Sequence, residues 1–500
     1  MIRPFDNSGI TRDSNGIARY DVLPRSLVEM LGASADRSPD KEAIVELDGP
    51  RVTYRELWDR AARVAGGLKS AGVERGDRVA IHLGNGLDWV LAFFGAHMAG
   101  AIAVPVNTRF SPPEVAYVVE DSGSVFSFMP GAPLPDGAPH VVEDLKPDDV
   151  AAIFYTSGTT GFPKGAMTTH DNFLSNSETC RRIRKLPDDV EIRNLVSVPL
   201  FHVTGCNSQM LTTLGQSDTL VIMPQFEVQA FLRAFRDERI TQTTSVPAVY
   251  WYAVNQPNFH EYDMSKVRLL SYGGAPMAPD LVARLTEEFP NARLGNGYGL
   301  TETSSVATYL PHEYSRLRPE TVGFAAPVVD LDLLDPDPET GVGELLIRGP
   351  NVVKGYWNKP EATSEAFVNS WLHTGDMARI DSDGFVQIVD RKKDMICRGG
   401  ENVYCVEVEN ALAAHPAVFE VAVIGVPDDM MGEKVGAVIV PRPGKEITPE
   451  ELVAFARERL ADFKVPQYVV VRGTPMPRNP GGKMLKPLLR KETVWGKPLR

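Results

Sequence analysis

The sequence predicts an α/β protein: a large N-terminal domain of parallel or mixed sheets with flanking helices plus a β-rich subdomain, then a small α+β C-terminal domain. Three observations predict this. Strand-like and helix-like runs alternate over residues 79–106 and again over 195–272, the spacing of a parallel sheet with helices on its faces. Around 327–347 short β-like runs and turns replace that alternation. Beyond the charged cluster DRKKD at 390–394, a linker by composition, the chain has a helix and strand pattern of its own. At 500 residues it also exceeds what one core usually supports.

In chain order, residues 1–20 are polar and rich in turn formers, and read as a loosely held arm. Thr53 and Glu56 form a capping box, after which Leu57, Ala61, Val64, Ala65 and Leu68 recur at helical spacing until Gly72. A strand at 79–83, a helix around Trp89 and a strand at 101–106 follow. Residues 89–106 (WVLAFFGAHMAGAIAVPV) are long enough to mimic a membrane span, but His97, Gly100 and Pro105 divide them into a buried helix, a stop and a strand. No membrane segment is expected. Strands at 195–199, 219–223, 243–246 and 267–272 flank a helix at 229–237. Then come β-like runs at 328–334 and 343–348, a strand at 386–389, a helix at 406–414, strands at 418–426 and 436–441, and a helix at 450–460.

Composition narrows the function. A net charge of −13 argues against general nucleic-acid binding, though an anionic ligand needs only local positive charge. The last thirty residues supply some: Arg472, Arg478, Lys483, Lys486, Arg490, Lys491, Lys497 and Arg500 face one acid, Glu492. Cys180, Cys206, Cys397 and Cys405 are scattered, which speaks against a disulfide framework or a thiolate metal site and suits a reducing cytoplasm. The first residues, MIRPFDNSGITRD, lack the apolar core of a signal peptide.

The chemistry centres on residues 151–165, AAIFYTSGTTGFPKG. A short apolar strand runs into Thr156, Ser157, Gly158, Thr159, Thr160 and Gly161, closed by Pro163, Lys164 and Gly165. Glycines let backbone N–H groups converge on an anion, hydroxyls add donors, and lysine adds a charge, which is the make-up of a polyphosphate clamp. The pattern argues against a Walker A loop, because Gly165 and Ala166 follow Lys164 where Ser or Thr opening a helix is required. Four further segments fit the same machine. GYGLTET (297–303) offers Tyr298 for stacking on a base and Glu302 for Mg²⁺. WLHTGD (371–376) ends in Asp376, suited to paired ribose hydroxyls; FHVTG (201–205) sets His202 among apolar residues; RNPGGKMLK (478–486) presents Lys483 from a Gly-Gly turn.

TSGTTGFPKG, GYGLTET, WLHTGD, DRKKDMICRGGENVYCVEVE and PRNPGGKMLK, in this order, resemble the adenylate-forming superfamily of acyl-CoA synthetases, firefly luciferases and peptide-synthetase adenylation domains. The likeness runs from about residue 27 to about 489. It implies a large domain over 1–390, a hinge at 391–393 centred on Lys393, and a mobile small domain over 394–500. It implies that Thr156, Ser157, Gly158, Thr159, Thr160, Gly161 and Lys164 hold the β- and γ-phosphates of ATP. Tyr298 would stack on adenine beside Gly273, Gly274 and Ala275. Thr301 would meet the α-phosphate and Glu302 would bind Mg²⁺; Asp376 and Arg391 would hold the ribose. His202 would stand at the substrate carboxylate, Lys483 would bridge that carboxylate and the α-phosphate, and Gly400 would line the tunnel for the pantetheine of coenzyme A. Val203, Thr204, Val246 and Asn296 are the expected pocket lining.

The activity implied is ATP-dependent conversion of a carboxylic acid to an acyl-adenylate and then to an acyl-CoA. The alternative is a stand-alone adenylating enzyme that loads an acyl carrier protein or stops at the adenylate; with no carrier domain after Arg500, free CoA is favoured. A nucleotide-binding regulator without catalysis is the reading from another class, and the retention of Lys164, Glu302, Asp376, Arg391 and Lys483 argues against it. A homodimer is one assembly the resemblance allows. Phe201 stands before His202 where amino-acid-activating relatives carry an aspartate, which disfavours an amino-acid substrate and leaves fatty, aryl and polycyclic acids open. Two positions depart from the family pattern: Asp390 precedes Arg391 where glycine is usual, and Cys405 replaces a common proline.

Overall fold

The structure, a computed structural model, describes every residue except 1, 157–162, 188, 276, 400, 479–483 and 500. Two compact units are present. The larger comprises Met1–Leu331, Ile347–His373 and Asp381–Val386; the smaller comprises Asp332–Leu346, Thr374–Ile380 and Gln387–Arg500.

Two sheets organise the larger unit. In the first, strands run in the order Ser124–Phe128, Arg78–Ile81, Ile102–Pro105, Val150–Thr156, Lys164–Thr169. The first four are parallel, and the last folds back antiparallel on Val150–Thr156, with Thr156 opposite Lys164. Val150–Thr156 and Lys164–Thr169 thus pair as the two strands of a hairpin. The second sheet has nine strands, parallel from Glu42–Glu46 across to Arg293–Tyr298 and antiparallel at both margins. Its parallel strands end at Ser245, Gly273 and Tyr298, so the segments that follow lie along one edge, where open α/β sheets bind ligands.

Local chemistry explains the elements. Helix Tyr54–Ser70 starts where expected: Thr53 Oγ1 accepts the Glu56 N–H at 3.3 Å, and the Glu56 carboxylate accepts the Thr53 N–H at 2.8 Å. Its expected stripe, Leu57, Ala61, Val64, Ala65 and Leu68, is buried. The apolar run 89–106 divides as its sequence requires, into a helix Leu87–Met98 buried on nearly every side and the strand Ile102–Pro105. Among the described residues no helix is long and apolar enough to cross a membrane.

The N-terminal arm is a correction. Strands Ile10–Arg12 and Ala18–Tyr20 pair antiparallel, and Phe5, Ala18 and Tyr20 are buried. Arg19 pairs with Asp171 at 2.6 Å and the Tyr20 hydroxyl meets Thr179 at 2.8 Å, so the segment is tied to helix His170–Arg184. Its polarity hid two buried aromatic anchors spaced fifteen residues apart, too far for any periodic signal.

The stretch expected to be β-rich carries strands Asp330–Leu334 and Gly343–Arg348, then Trp371–Ile380 and Val386–Arg391. In the smaller unit, the long hairpin Val418–Asp428/Gly432–Pro441 forms a sheet with Ile396–Arg398, Glu401–Val403 and Tyr468–Val471. Helices Cys405–Ala413 and Pro449–Arg457 contribute Val408, Leu412, Leu452 and Ala456 to the core of that α+β body.

Buried His170 makes the larger unit acid-sensitive. Its Nδ1 accepts the Leu27 N–H at 3.3 Å, which requires that nitrogen to be unprotonated, and burial pulls its pKa down to about 3. The unfolded chain therefore takes up a proton near pH 6.5 that the folded chain refuses, so this group's contribution to stability falls as pH drops from 6.5 toward 3. Replacing His170 by Asn is expected to flatten the pH dependence of the unfolding free energy between pH 6 and 4.5 by ~1.4 kcal/mol per pH unit. Denaturant titrations at several pH values check this, and equal slopes for the two proteins would contradict it.

Candidate active site

The site is best built outward from Lys164. Its side chain leaves the second strand of the hairpin and places Nζ 5.1 Å from the ring centroid of Tyr356. The Tyr356 hydroxyl donates to Glu302 Oε1 at 2.8 Å, so one tyrosine touches both the clamp lysine and the carboxylate expected to bind metal. Burial pushes the Tyr356 phenol up, and the Glu302 charge adds to the effect, so Tyr356 stays a donor.

The backbone holds this arrangement from both sides. The Trp357 N–H donates to the Gly165 carbonyl at 2.7 Å, and the Met167 N–H to the Gly355 carbonyl at 2.9 Å, lacing 355–357 to the hairpin. The Val353 N–H donates to the Glu302 carbonyl at 3.0 Å, and Asn351 Nδ2 to the Thr303 carbonyl at 3.2 Å. Asn172 Nδ2 reaches the Pro350 and Val352 carbonyls from below. Tyr356 is the functional residue that sequence reasoning missed. Its signal is faint: a Gly-Tyr-Trp run that closes the segment after strand Gly343–Arg348.

Glu302 sits in the short turn Thr301–Thr303, whose exit is strained: Ser304 has φ 54° and Ser305 φ 119°. That strain is held by the next element. Asn207 Nδ2 donates to the Ser304 carbonyl at 2.6 Å, and the Ser208 and Ser305 hydroxyls are in short hydrogen-bond contact. Asn207 and Ser208 belong to a π-helix, Thr204–Leu211, that begins two residues after His202. Wide helical turns of this kind concentrate at functional sites, and apolar periodicity does not reveal them. Gly205 is required there, since a Cβ would lie 2.3 Å from the Pro199 carbonyl oxygen.

His202 is half-buried, with its Nε2 shielded from solvent and without a hydrogen-bond partner among the described residues. Burial, with some help from the Arg109 charge, pulls its pKa down to about 4, so the ring is neutral at pH 7. Val203 is buried beside it and Thr204 half-buried. Gly273 lies opposite Gly297 in the sheet, and a Cβ on it would come within 2.4 Å of the Gly297 carbonyl oxygen. Val246 stands beside the Gly274 turn, Ala275 follows it, and Tyr298 ends the neighbouring strand. Asn296 is buried, and its Nδ2 donates to the Thr321 carbonyl at 3.2 Å, which fixes the side chain. The larger unit therefore brings together Thr156, Lys164, Glu302, Thr301 and the His202 helix through one hydrogen-bonded chain.

In the smaller unit Asp376 is 2% exposed, and its carboxylate meets Arg391 Nε at 2.8 Å. The Gly375 N–H and Lys392 Nζ both bond Glu344, each at 3.0 Å, and the Lys392 N–H donates to the Gly375 carbonyl. The cluster 390–394, expected as a linker, is thus pinned by named partners. Burial pulls the Lys393 ammonium down, and the Arg391 charge adds to this. Ser157, Gly158, Thr159, Thr160, Gly161, Gly400 and Lys483 lie outside the described residues.

A metal fits Glu302 in kind. Among the described residues no cluster of three or more His, Cys, Asp or Glu side chains could hold an ion. A single carboxylate kept in place by a phenol suits Mg²⁺, which dehydrates reluctantly and takes most of its ligands from water and phosphate.

Known families, proteins and structures match this chain along most of its length. The AMP-binding enzyme family matches residues 31–140 and 127–357, and the AMP-binding enzyme C-terminal domain matches 407–483. A feruloyl-CoA synthase of Amycolatopsis sp is 38% identical over 481 residues, covering 91% of this chain and 97% of the relative. The long-chain-fatty-acid–CoA ligase FadD13 of Mycobacterium tuberculosis is 36% identical over 499 residues, covering 93% and 97%. Among solved structures, o-succinylbenzoate CoA synthetase of Bacillus subtilis with its acyl-adenylate OSB-AMP superposes with a TM-score of 0.86 at 29% identity, over 95% of this chain and all of the other. ATP-bound MatB of Rhodopseudomonas palustris gives 0.82 at 31%, over 93% and 98%. The chain belongs to the AMP-binding enzyme family and is an AMP-forming acid–CoA ligase, which activates a carboxylic acid with ATP as an acyl-adenylate and passes the acyl group to CoA.

Proposed function

We propose that Lys164, Tyr356 and Glu302 form the phosphate end of the ATP site and that the acid activated is an oxygenated aryl acid of the hydroxycinnamate kind. The observation that carries the first part is the Tyr356 hydroxyl bonded to Glu302 while its ring faces Lys164. Thr156, residues 157–161 and Lys164 hold the β- and γ-phosphates, Thr301 the α-phosphate, and Tyr298 with Gly273–Ala275 the base. Asp376 and Arg391 hold the ribose. Mg²⁺ held by Glu302 supplies neutralisation of phosphate charge when bound. In the first half-reaction a carboxylate oxygen attacks the α-phosphorus and pyrophosphate leaves. Both reactants are anions, so Lys164 and Lys483 act chiefly by countering charge. Neutral His202, whose Nε2 has no partner among the described residues, orients the carboxylate without competing for it as a counter-ion. In the second half-reaction a thiol attacks the acyl carbonyl and AMP departs. The pivot between the two lies at 391–393, and Gly400 lines the thiol's path.

Two facts support the aryl acid. The feruloyl-CoA synthase is 38% identical. The helix after His202 also buries Asn207, Ser208 and Gln209, with the Asn207 Oδ1 and Gln209 Nε2 unpartnered among the described residues. These polar residues adjoin Val203 and Thr204, the expected pocket lining, and a segment so composed suits an oxygenated acid better than an alkyl chain. A carrier-protein thiol in place of CoA is the second reading, favoured by a fatty acid–[acyl-carrier-protein] ligase, ScoC of Streptomyces coeruleorubidus, 34% identical over 522 residues. The free cysteines suit a reducing cytoplasm.

Pyrophosphate release with ferulate, a long-chain fatty acid and a polycyclic acid, each with and without CoA, tests the proposal. Preference for ferulate with a CoA thioester seen by mass spectrometry is expected; preference for the fatty acid would overturn the acid class. Lys483→Ala is expected to slow adenylation at least about a hundredfold while sparing thioester formation from preformed adenylate, as loss of a transition-state charge contact would. Tyr356→Phe is expected to raise the Mg²⁺ concentration needed for half-maximal adenylation about tenfold, the cost of one charge-assisted hydrogen bond. An unchanged Mg²⁺ dependence would remove Tyr356 from that role.

A further inference from the structure

The segment 390–405 carries a contact that a chain with the family's usual proline could not make. Asp390 is 2% exposed at the end of strand Val386–Arg391. Its Oδ1 accepts the Arg391 N–H at 2.7 Å, and its Oδ2 accepts the N–H of Cys405. Cys405 opens helix Cys405–Ala413, whose N-cap residue, Tyr404, makes no side-chain cap bond. Asp390 therefore caps this helix from fifteen residues upstream and places its charge at the positive end of the helix. The Cys405 thiol donates to the Asp394 carbonyl at 3.0 Å, so one fully buried residue grips both ends of the loop 390–394.

The ionic surroundings keep the carboxylate in place. Lys486, itself paired with Glu409 at 2.7 Å, attracts Asp390. Burial pushes the Asp390 carboxyl up to about 6, while Lys486 and the N–H groups of Arg391 and Cys405 pull it back and Glu409 opposes them. Proline at 405 has no N–H to offer.

We propose that Asp390 and Cys405 form a latch across the pivot and that the backbone amide of Cys405 sets the balance between the enzyme's two half-reactions. The inference rests on the reading of 391–393 as the pivot. Asp390 precedes those residues and Cys405 follows them, so a rotation there changes the Asp390–Cys405 separation. The latch is closed in one arrangement and must open for the other. Cys405 is a positioning residue: it touches no reacting atom and acts through the loop it holds.

The test measures ATP–pyrophosphate exchange and, separately, single-turnover thioester formation from preformed acyl-adenylate, in the full-length enzyme. Cys405→Pro deletes the N–H, Cys405→Ala keeps it and removes only the thiol, and Asp390→Asn keeps an uncharged acceptor. The ratio of the two rates is expected to move at least about tenfold in Cys405→Pro, in the same direction but less in Asp390→Asn, and by less than about threefold in Cys405→Ala. A structural defect alone lowers both rates together and leaves the ratio fixed. Trypsin cleavage after Arg391, Lys392 or Lys393 is expected to speed up in Cys405→Pro and not in Cys405→Ala. Lys393→Pro separates the two claims. If it splits the half-reactions while Cys405→Pro and Asp390→Asn do not, the latch is overturned and the pivot stands. If none of the three splits them, both are overturned.

Discussion

The hydrogen bond from Tyr356 to Glu302 is the contact on which the proposed ATP site depends. Glu302 lies on a turn at the edge of one sheet, and Lys164 lies on a hairpin of another. Among the described residues no strand pairing joins the two sheets. Tyr356 does, with its hydroxyl on one residue and its ring face toward the other. Its own position follows from the lacing of 355–357 to the hairpin and from the Val353 and Asn351 bonds to the turn. Under the proposed assignment of Mg²⁺ to Glu302, a carboxylate aimed in advance avoids reorganisation at the moment of reaction.

The same logic extends to the acid side. The strained Ser304 and Ser305 are tolerable because Asn207 and Ser208 bond them, and those residues belong to the helix that follows His202. A disturbance of the helix after His202 therefore has a bonded route to the turn that carries Glu302. The smaller unit is organised differently, by buried carboxylates and the cations and N–H groups that meet them: Asp376 with Arg391, Glu344 with Lys392, and Asp390 among Cys405, Lys486 and Glu409. Removing one partner of a buried charge leaves the other uncompensated, so these contacts hold the segment 390–394 in a defined geometry, as the proposed latch requires.

Much of this was legible in the sequence, for reasons that can be named. The alternation over 79–106 and 195–272 marks a parallel sheet because strands buried on both faces are apolar throughout, and the Thr53–Glu56 box marks a helix start because its two bonds are local. Lys164, Glu302, His202 and Asp376 stood out because glycines, hydroxyls and charges crowd around them. The arm at 1–20 was misread because its anchors, Phe5 and Tyr20, are isolated aromatics in polar sequence whose partners are more than a hundred residues away. Tyr356 was missed for the same reason: its role exists only in three dimensions, 54 residues from Glu302 and 192 from Lys164. The π-helix escaped because five-residue bonding leaves no distinct apolar period.

The most direct test of the central claim is a double-mutant cycle on Tyr356→Phe and Glu302→Gln, read as the Mg²⁺ dependence of ATP–pyrophosphate exchange. If Tyr356 acts by aiming Glu302, the second substitution costs little once the first is made, with a coupling of about 1–3 kcal/mol. Effects that add to within about 0.5 kcal/mol would show that the two residues act independently and would contradict the account.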